Sequence, residues 1–401
     1  MHRKTEFWVL QSALDLWSNF TYCLGDAQAD CPVGDQFQQS ERRVAVGGSH
    51  SRHWASNWQG MEFRHAWGVQ ARADDLAPVG LYRTQQRERL GTVREDRVQQ
   101  HSLSLWAESE LRWTGWLRTT AGVRADAYRF HVQSNLVANS GQAQDALLSP
   151  KLSVVLGPWR GMEMYVNHGQ GFHSNDARGT TQRVDPVDPL MSVRPVSPLV
   201  RSRGEEVGLR SEWLPGWKST LALWQLRAAS ELLFAGDAGT TEPSRPSRRR
   251  GVEWNHFMAL NRHWAIDADL AWSQARFTDA DPSGPYIPGA ASTTANLGLS
   301  WDNQGPWSGA IRLRYWGHRP LLEDNTLRSP AAAWVNLRVG YRTSEREQWT
   351  LDIYNLMDRK VDDIAYAYVS RLAGEDAQGL LDRHVHPAEP RTWRVRWTHR
   401  L

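Results

Sequence analysis

The segment WSGAIRLRYWGHRPLLEDNTLRSPAAAWVNLRVGYR (Trp307–Arg342) decides the fold class. Ile311, Leu313 and Tyr315 alternate with Arg312, Arg314 and Trp316. After an interruption, Val335, Leu337, Val339 and Tyr341 alternate with Asn336, Arg338, Gly340 and Arg342. A period of two with one apolar face marks a strand buried on one side. Arginine on the polar face of every strand is more than an ordinary sandwich edge carries. A transmembrane β-barrel accommodates it, with lipid against the apolar face and a wet or filled lumen against the charges.

Composition agrees with that reading. The chain has 401 residues, 40% of them hydrophobic, and a mean hydropathy of −0.59. No apolar run approaches the ~18 residues of a membrane helix, so a helical membrane protein is excluded. A barrel is not, because only alternate residues face lipid. The 22 Trp outnumber the 10 Tyr and 9 Phe. Many stand beside short turns: Trp113 and Trp116, Trp159, Trp213 and Trp217, Trp264, Trp301 and Trp307, Trp349. Indole suits the membrane–water boundary, where its apolar body and its N–H are both satisfied. Trp at the strand ends of a soluble β protein is the alternative.

A net charge of +3, from 47 basic and 44 acidic residues, gives no general case for nucleic-acid binding. The run Arg248–Arg250 reads as a boundary between loop and barrel. Cys23 and Cys31, the two cysteines, read as a short disulfide loop formed in an oxidising compartment; two free thiols are the alternative. FWVLQSALDLW (Phe7–Trp17) lies between a basic start and Ala27-Gln28-Ala29, but Gln11 and Asp15 break it as a signal-peptide core. Its alternation suits a strand. The expectation is therefore a barrel chain without a signal peptide and incomplete at its start.

Taken in order, short turns alternate with long loops. The turns include Trp58-Gln59-Gly60, Thr114-Gly115, Pro158–Gly161, Leu214–Gly216, Asn261–His263 and Asn303–Pro306. The loops include Cys23–Cys31, Asp74–Asp96, Gln133–Ala146, Ala177–Pro198, Gly236–Ser247 and Asp279–Gly289. This asymmetry follows the outer-membrane barrel rule of short periplasmic turns and long external loops. About 16 strands fit the chain, starting and ending on the short-turn side.

LSPKLSVVLGPWRGMEMYVNHGQGFHSNDARG (Leu148–Gly179) resembles the barrel of TonB-dependent outer-membrane receptors. LVRSRGEEVGLR (Leu199–Arg210), LDIYNLMDRK (Leu351–Lys360), LWSNFTY (Leu16–Tyr22) and GDQF (Gly34–Phe37) are similar to further strands of that family. The resemblance implies capture of a ligand outside the cell and energised uptake across the outer membrane of a Gram-negative bacterium. Its default ligand is a ferric siderophore or similar metal chelate; cobalamin, haem and oligosaccharides are alternatives. The implied partners are outer-membrane lipid, the TonB energy-coupling complex and the barrel-assembly machinery, with a monomer as the working unit and no cofactor. Family members carry a signal peptide, a TonB box and a plug before a barrel of roughly 22 strands. The expectation is that this chain is the C-terminal part, with plug, box and first strands upstream. Trp393, Val395 and Trp397 keep the outward parity at the C-terminus, where His399 interrupts it and Leu401 ends it.

No enzyme motif stands in the sequence: no HExxH, no phosphate-cradling GK[ST] loop, no GxSxG. His384 and His386 with Asp382 make at most half a metal site. Glu108, Glu110, Asp267 and Asp269 are expected on the inner wall, paired with arginines such as Arg112, Arg312 and Arg314. His173, Asn175, Asp176 and Arg178 are the leading candidates for ligand contact, at the rim where a strand meets an external loop. Tyr366, Tyr368 and Arg371, in the last external loop, are the second group. A 16-stranded diffusion porin, a non-functional receptor fragment and a soluble all-β binding protein are the rival readings. The first would carry an inward-folded loop with clustered charge; the last would be extractable without detergent.

Overall fold

In the computed structural model, residues 1–25, 34–230, 232–235, 240–243 and 245–400 are described. Sixteen strands form one antiparallel sheet in which every strand pairs with its sequence neighbours in the wall. They are β1 (His2–Ser18), β2 (Phe37–Trp58), β3 (Met61–Gln85), β4 (Glu88–Arg112), β5 (Leu117–Ser134), β6 (Gly141–Trp159), β7 (Met162–Ser174) and β8 (Leu199–Leu214). They continue as β9 (Trp217–Ala228), β10 (Ser247–Ala259), β11 (Trp264–Phe277), β12 (Thr293–Gln304), β13 (Trp307–Trp316), β14 (Ala332–Arg342), β15 (Glu347–Tyr354) and β16 (Thr392–His399). The order makes β1 and β16 the edges of the sheet, and they do not pair with each other among the described residues. The segment FWVLQSALDLW lies wholly within β1, as its alternation required. Ala27–Ala29 and Leu401 lie outside the described residues.

The opening alternation sorts into two faces. Register pairs Ile311 with Leu299 and Leu337, and Arg312 with Gly298 and Asn336. Asp267, two strands from Arg312 on the inner face, accepts from both of its terminal nitrogens at 2.8 and 3.1 Å. Arg338 donates to Asp352, its cross-strand partner. Glu108 pairs with Lys151 at 2.6 Å and Glu110 with Arg64 at 3.9 Å, rather than with Arg112. Asp269 and Arg314 lie on the same inner face without an ion pair among the described residues. Opposite charges in adjacent inner positions cancel, so the wall carries many charges with little net repulsion.

Outward, the turn-side ends form an aromatic belt. Trp116 and Trp159 have ring centroids 6.3 Å apart, Trp264 and Trp301 5.8 Å, and Trp349 and Trp397 6.4 Å. Trp307 contacts Tyr341 at 4.6 Å. Trp264 and Trp301 are half-buried and the others exposed, on the face that carries Leu223, Ile311 and Leu313, as expected of an interfacial girdle.

The loop pattern needs two corrections. Asp74–Asp96 is not a long loop: β3 and β4 run for 25 residues each and meet in a two-residue turn at Gln86-Arg87. Similarly, Gln133–Ala146 is mostly strand, its loop reduced to residues 135–140 around a short 3-10 turn, Val137–Asn139. Strands of this length rise well beyond the hydrocarbon layer, which needs about 9–11 residues. Above it they build a water-type core from Leu76, Val79, Val98, Phe130 and Val132, the last two fully buried at 0% exposure.

Candidate functional site

The segment after β7 turns inward over this core. Alternation puts His173 on the inner face, paired with Val200 on β8. Asn175 is then fixed by the chain's return: its N–H donates to Pro198 O at 2.9 Å and its Nδ2 to Ser197 O at 2.7 Å. Asp176 caps a one-turn helix, α1 (Ala177–Thr181), accepting from the Arg178 N–H at 2.9 Å. A carboxylate satisfies an otherwise orphaned helix N–H. Arg178 bends back to the same carboxylate through Nη2 at 2.6 Å.

Ala177 packs into the core of the risen strands. Asn139, fully buried, ties down the helix exit: its Oδ1 accepts from Arg183 N and Val184 N at 2.8 and 3.0 Å, and its Nδ2 donates to Val184 O at 3.1 Å. Thr181 Oγ1 donates to Asn139 O at 2.8 Å, and Arg94 reaches Gln182 Oε1 at 3.1 Å. The loop of residues 175–198 is thus docked on the inner wall.

A cavity of about 210 Å³ lies between this loop and strands β2, β3 and β4. Three paired cations line it: Arg43 with Glu41 at 3.1 Å, Arg72 with Asp74 at 2.6 Å, Arg178 with Asp176 at 2.6 Å. Gln100, Ser174 and Asn175 supply neutral polar groups. Asn175 Oδ1 and, at the strand end, His173 Nε2 are buried without a hydrogen-bond partner. Burial pushes the Asp176 carboxyl up, but the Arg178 charge, the Arg178 hydrogen bonds and the Arg94 charge outweigh it and hold the group at about 2. The Asp176 side chain keeps 44% of its exposure, so it is ionised, paired and still open to the vestibule. Such an array can hold a polar ligand by hydrogen bonds to matched charges.

Of the sequence candidates, the structure brings His173, Asn175, Asp176 and Arg178 to one place. It does not bring Tyr366, Tyr368 and Arg371 there, since none of them lines the cavity. These three belong to a hairpin, Asp362–Ser370 with Leu380–Pro387, in the loop between β15 and β16. Tyr368 stacks on His384 at 3.7 Å and meets Phe20 edge-on at 6.1 Å. Arg371, 8% exposed, donates to Cys23 O at 2.8 Å and to Glu375 O at 3.1 Å. Its N–H donates to Thr21 Oγ1 at 2.9 Å, and its carbonyl accepts from Tyr22 N at 2.8 Å. Arg371 therefore clasps the last external loop to the first. Cys23 is disulfide-bonded, and Cys31 lies outside the described residues. His384 lies with its Nε2 3.2 Å from Tyr368 O. Among the described residues no group of three metal-ligating side chains is assembled.

Sequence reasoning missed Asn139, Arg94 with Asp96, and Arg43 with Arg72. Asp176 followed by Ala-Arg-Gly was a legible capping signal. The Arg-x-Asp spacing at Arg72/Asp74, Arg94/Asp96 and Arg124/Asp126 was another, since positions two apart in a strand share a face.

A family model described as TonB dependent receptor-like, beta-barrel matches residues 2–356. Among solved structures, the chain is similar to the copper transporter OprC, with a TM-score of 0.71 and 16% identity over 98% of this chain and 62% of that one. It is similar to the unliganded ferric citrate transporter FecA, with a TM-score of 0.70 and 12% identity over 91% of this chain and 55% of that one. It is also similar to the ferric yersiniabactin uptake receptor FyuA from Yersinia pestis, with a TM-score of 0.69 and 16% identity over 91% and 55%. At these identities the likeness is one of fold, and the chain spans about three fifths of the length of such structures. No curated protein matches the sequence.

Proposed function

The chain belongs to the TonB-dependent receptor β-barrel family, and from that premise we propose that it is the wall of an outer-membrane receptor taking up a scarce nutrient. The ligand class we favour is a ferric siderophore or similar metal chelate, and the protein is a transporter rather than an enzyme. The observation that carries this reading is the family match along β1 to β15, on a wall with an apolar outer face and a charge-paired inner one. The names of the similar structures, a copper transporter and two ferric chelate transporters, support the ligand class. The polar cavity beside Asn175 and Arg178 is where we place the first ligand contact. Uptake would draw its energy from the TonB complex acting on a plug within the barrel. Lipid of the outer membrane and the barrel-assembly machinery would be the other partners, and the working unit a monomer.

A 16-stranded diffusion pore is the second reading, and one observation favours it: the loop of residues 175–198 folds inward and carries clustered charge. Against it stand the edges of β1 and β16, which do not pair with each other among the described residues.

Detergent-extracted protein from the outer-membrane fraction, titrated with ferric citrate, a ferric hydroxamate and a ferric catecholate, separates the two. A receptor quenches Trp fluorescence saturably with one of them below roughly micromolar concentration, and Asn175→Ala with Gln100→Ala weakens that binding. A pore gives no saturable quenching and a steady conductance in planar bilayers.

A further inference from the structure

We propose that the top of β7 and the loop of residues 175–198 form a strap with two positions, and that in the second β7 zips onto β6. The inference goes beyond the uptake reading and does not depend on which nutrient the wall admits. It starts from a fork in the wall. β6 is paired with β5 from Gly141 to Leu156, and β7 with β8 from Met162 to Ser174. Yet β6 and β7 pair with each other only as far as Lys151 and Gly169. Above that rung both strands continue, over residues 141–150 and 170–174, with no ladder between them.

Backbone direction shows what the fork leaves open. Gly157 N–H donates to Trp116 O beside β5 at 2.7 Å, and Asn175 N–H to Pro198 O beside β8 at 2.9 Å. Alternate residues of an antiparallel strand face opposite neighbours, so the even-numbered residues of β6 and β7 face the fork. Gln170, Phe172 and Ser174 make no backbone hydrogen bond across it among the described residues. Side chains stand in on the β6 side. Arg201 of β8 donates to Leu148 O at 3.0 Å and to Gln170 Oε1 at 2.7 Å, and Ala146 N–H donates to the Asp145 carboxylate at 2.8 Å. Continuing the register of the paired part sets Pro150 against Gln170, Leu148 against Phe172 and Ala146 against Ser174. Every backbone group on these rungs then gains a partner, Pro150 having no N–H to offer. Arg201 stands where the Phe172 N–H would donate.

The docked loop is what holds β7 away. Phe172 meets Tyr128 of β5 edge-on at 5.8 Å, and Ala177 sits in the core of Phe130 and Val132. Docking also leaves buried polar atoms without a hydrogen-bond partner: Ser149 Oγ at the fork, Arg94 Nη2 and Asp96 Oδ1 under the loop, Asn175 Oδ1 and His173 Nε2. Such atoms are costly. The two positions therefore exchange an apolar seat for a completed ladder. Docked, the strap narrows the lumen over the cavity; zipped, it carries residues 175–198 to the rim and leaves an unbroken wall.

Hydrogen exchange of the full chain in detergent tests this with Ala177→Asp, which puts a charge into the apolar seat of the loop. Loosening of the loop alone leaves the Leu148, Phe172 and Ser174 amides exchanging as fast as before, or faster. Zipping protects them, and the expected result is exchange slowed roughly tenfold or more. A second arm oxidises Leu147→Cys/His173→Cys, a pair set opposite each other in the zipped register, with Lys151→Cys/Gly169→Cys at the paired base as control. The expected result is a disulfide between positions 147 and 173, found by mass spectrometry, with faster trypsin cleavage after Arg183. Unprotected amides in Ala177→Asp, no such disulfide where the control forms one, or a disulfide with the loop still resistant would each overturn the proposal.

Discussion

The sector from β2 to β5 and the sector from β12 to β15 are built from the same alternation to different heights. Strands in the first run 18 to 25 residues, those in the second 8 to 12. In the short sector one face meets lipid and the other the lumen, so the strands carry no core of their own. In the tall sector the strands leave the membrane and have water on the outside, and there they bury Phe130 and Val132 completely. That sector gives the loop of residues 175–198 something apolar to dock on, and the candidate cavity lies there; a smaller apolar cluster, Ile287 with Ala275 and Phe277, holds the loop after β11. Height beyond the bilayer, rather than loop length, positions the site.

Phe130→Ala tests the contrast most severely. Removing a fully buried phenyl ring costs about 3–5 kcal/mol. We expect the inward loop to detach, seen as protease cleavage between residues 182 and 198, while the barrel stays resistant. An equivalent truncation in the short sector, Leu313→Ala, removes a side chain that faces outward and leaves that cleavage unchanged. Asn139→Ala leaves two N–H groups and one carbonyl unpaired and costs about 2–3 kcal/mol, exposing the same sites in part.

A milder effect comes from acid. The Asp176 carboxyl sits at about 2, below its ordinary 3.8, so its contribution to docking is complete above about pH 4 and is lost as pH falls through about 2. Pepsin digestion of the inward loop should therefore be slow at pH 4 and fast near pH 2, and Asp176→Asn should abolish the difference. Smallest of all is Arg87→Gly in the turn of the tall hairpin. Arg87 holds φ +71°, a region costly to a side-chain-bearing residue by about 1 kcal/mol. Glycine there should slow exchange of the turn amides without altering the wall.

The difference between the sectors also decided what could be read from sequence. In the membrane the chemistry is two-sided, so Ile311 to Tyr315 announce their face and Asp267 could be matched to Arg312. The belt of Trp beside short turns was legible for the same reason. Above the membrane both faces of a strand can be polar, and Asp74, Asp75, Arg94 and Asp96 resemble a loop. Pro78 falls where the ladder of β3 slips between Leu76 and Val79, a place where proline is tolerated. Gln86-Arg87 closes a two-residue hairpin without the Asn-Gly or Gly that such turns favour, so nothing marked the turn. At the site, the His173–Arg178 cluster was visible as residues but not as a cap and a clamp, because Asn139 and Arg94 meet it only through the fold. The hold of Arg371 on the backbone carbonyls of Cys23 and Glu375 has no sequence signature.

The central claim is that one face of each strand meets lipid and the other a charged interior. The direct measurement is a single-cysteine scan of residues 311 to 315 in proteoliposomes, with a water-soluble thiol reagent and a lipid-phase quencher. The account predicts reaction at Arg312→Cys and Arg314→Cys with the water-soluble reagent, and quenching of labels at Ile311→Cys, Leu313→Cys and Tyr315→Cys. Uniform reaction with the water-soluble reagent along the stretch, with no period of two, would contradict it.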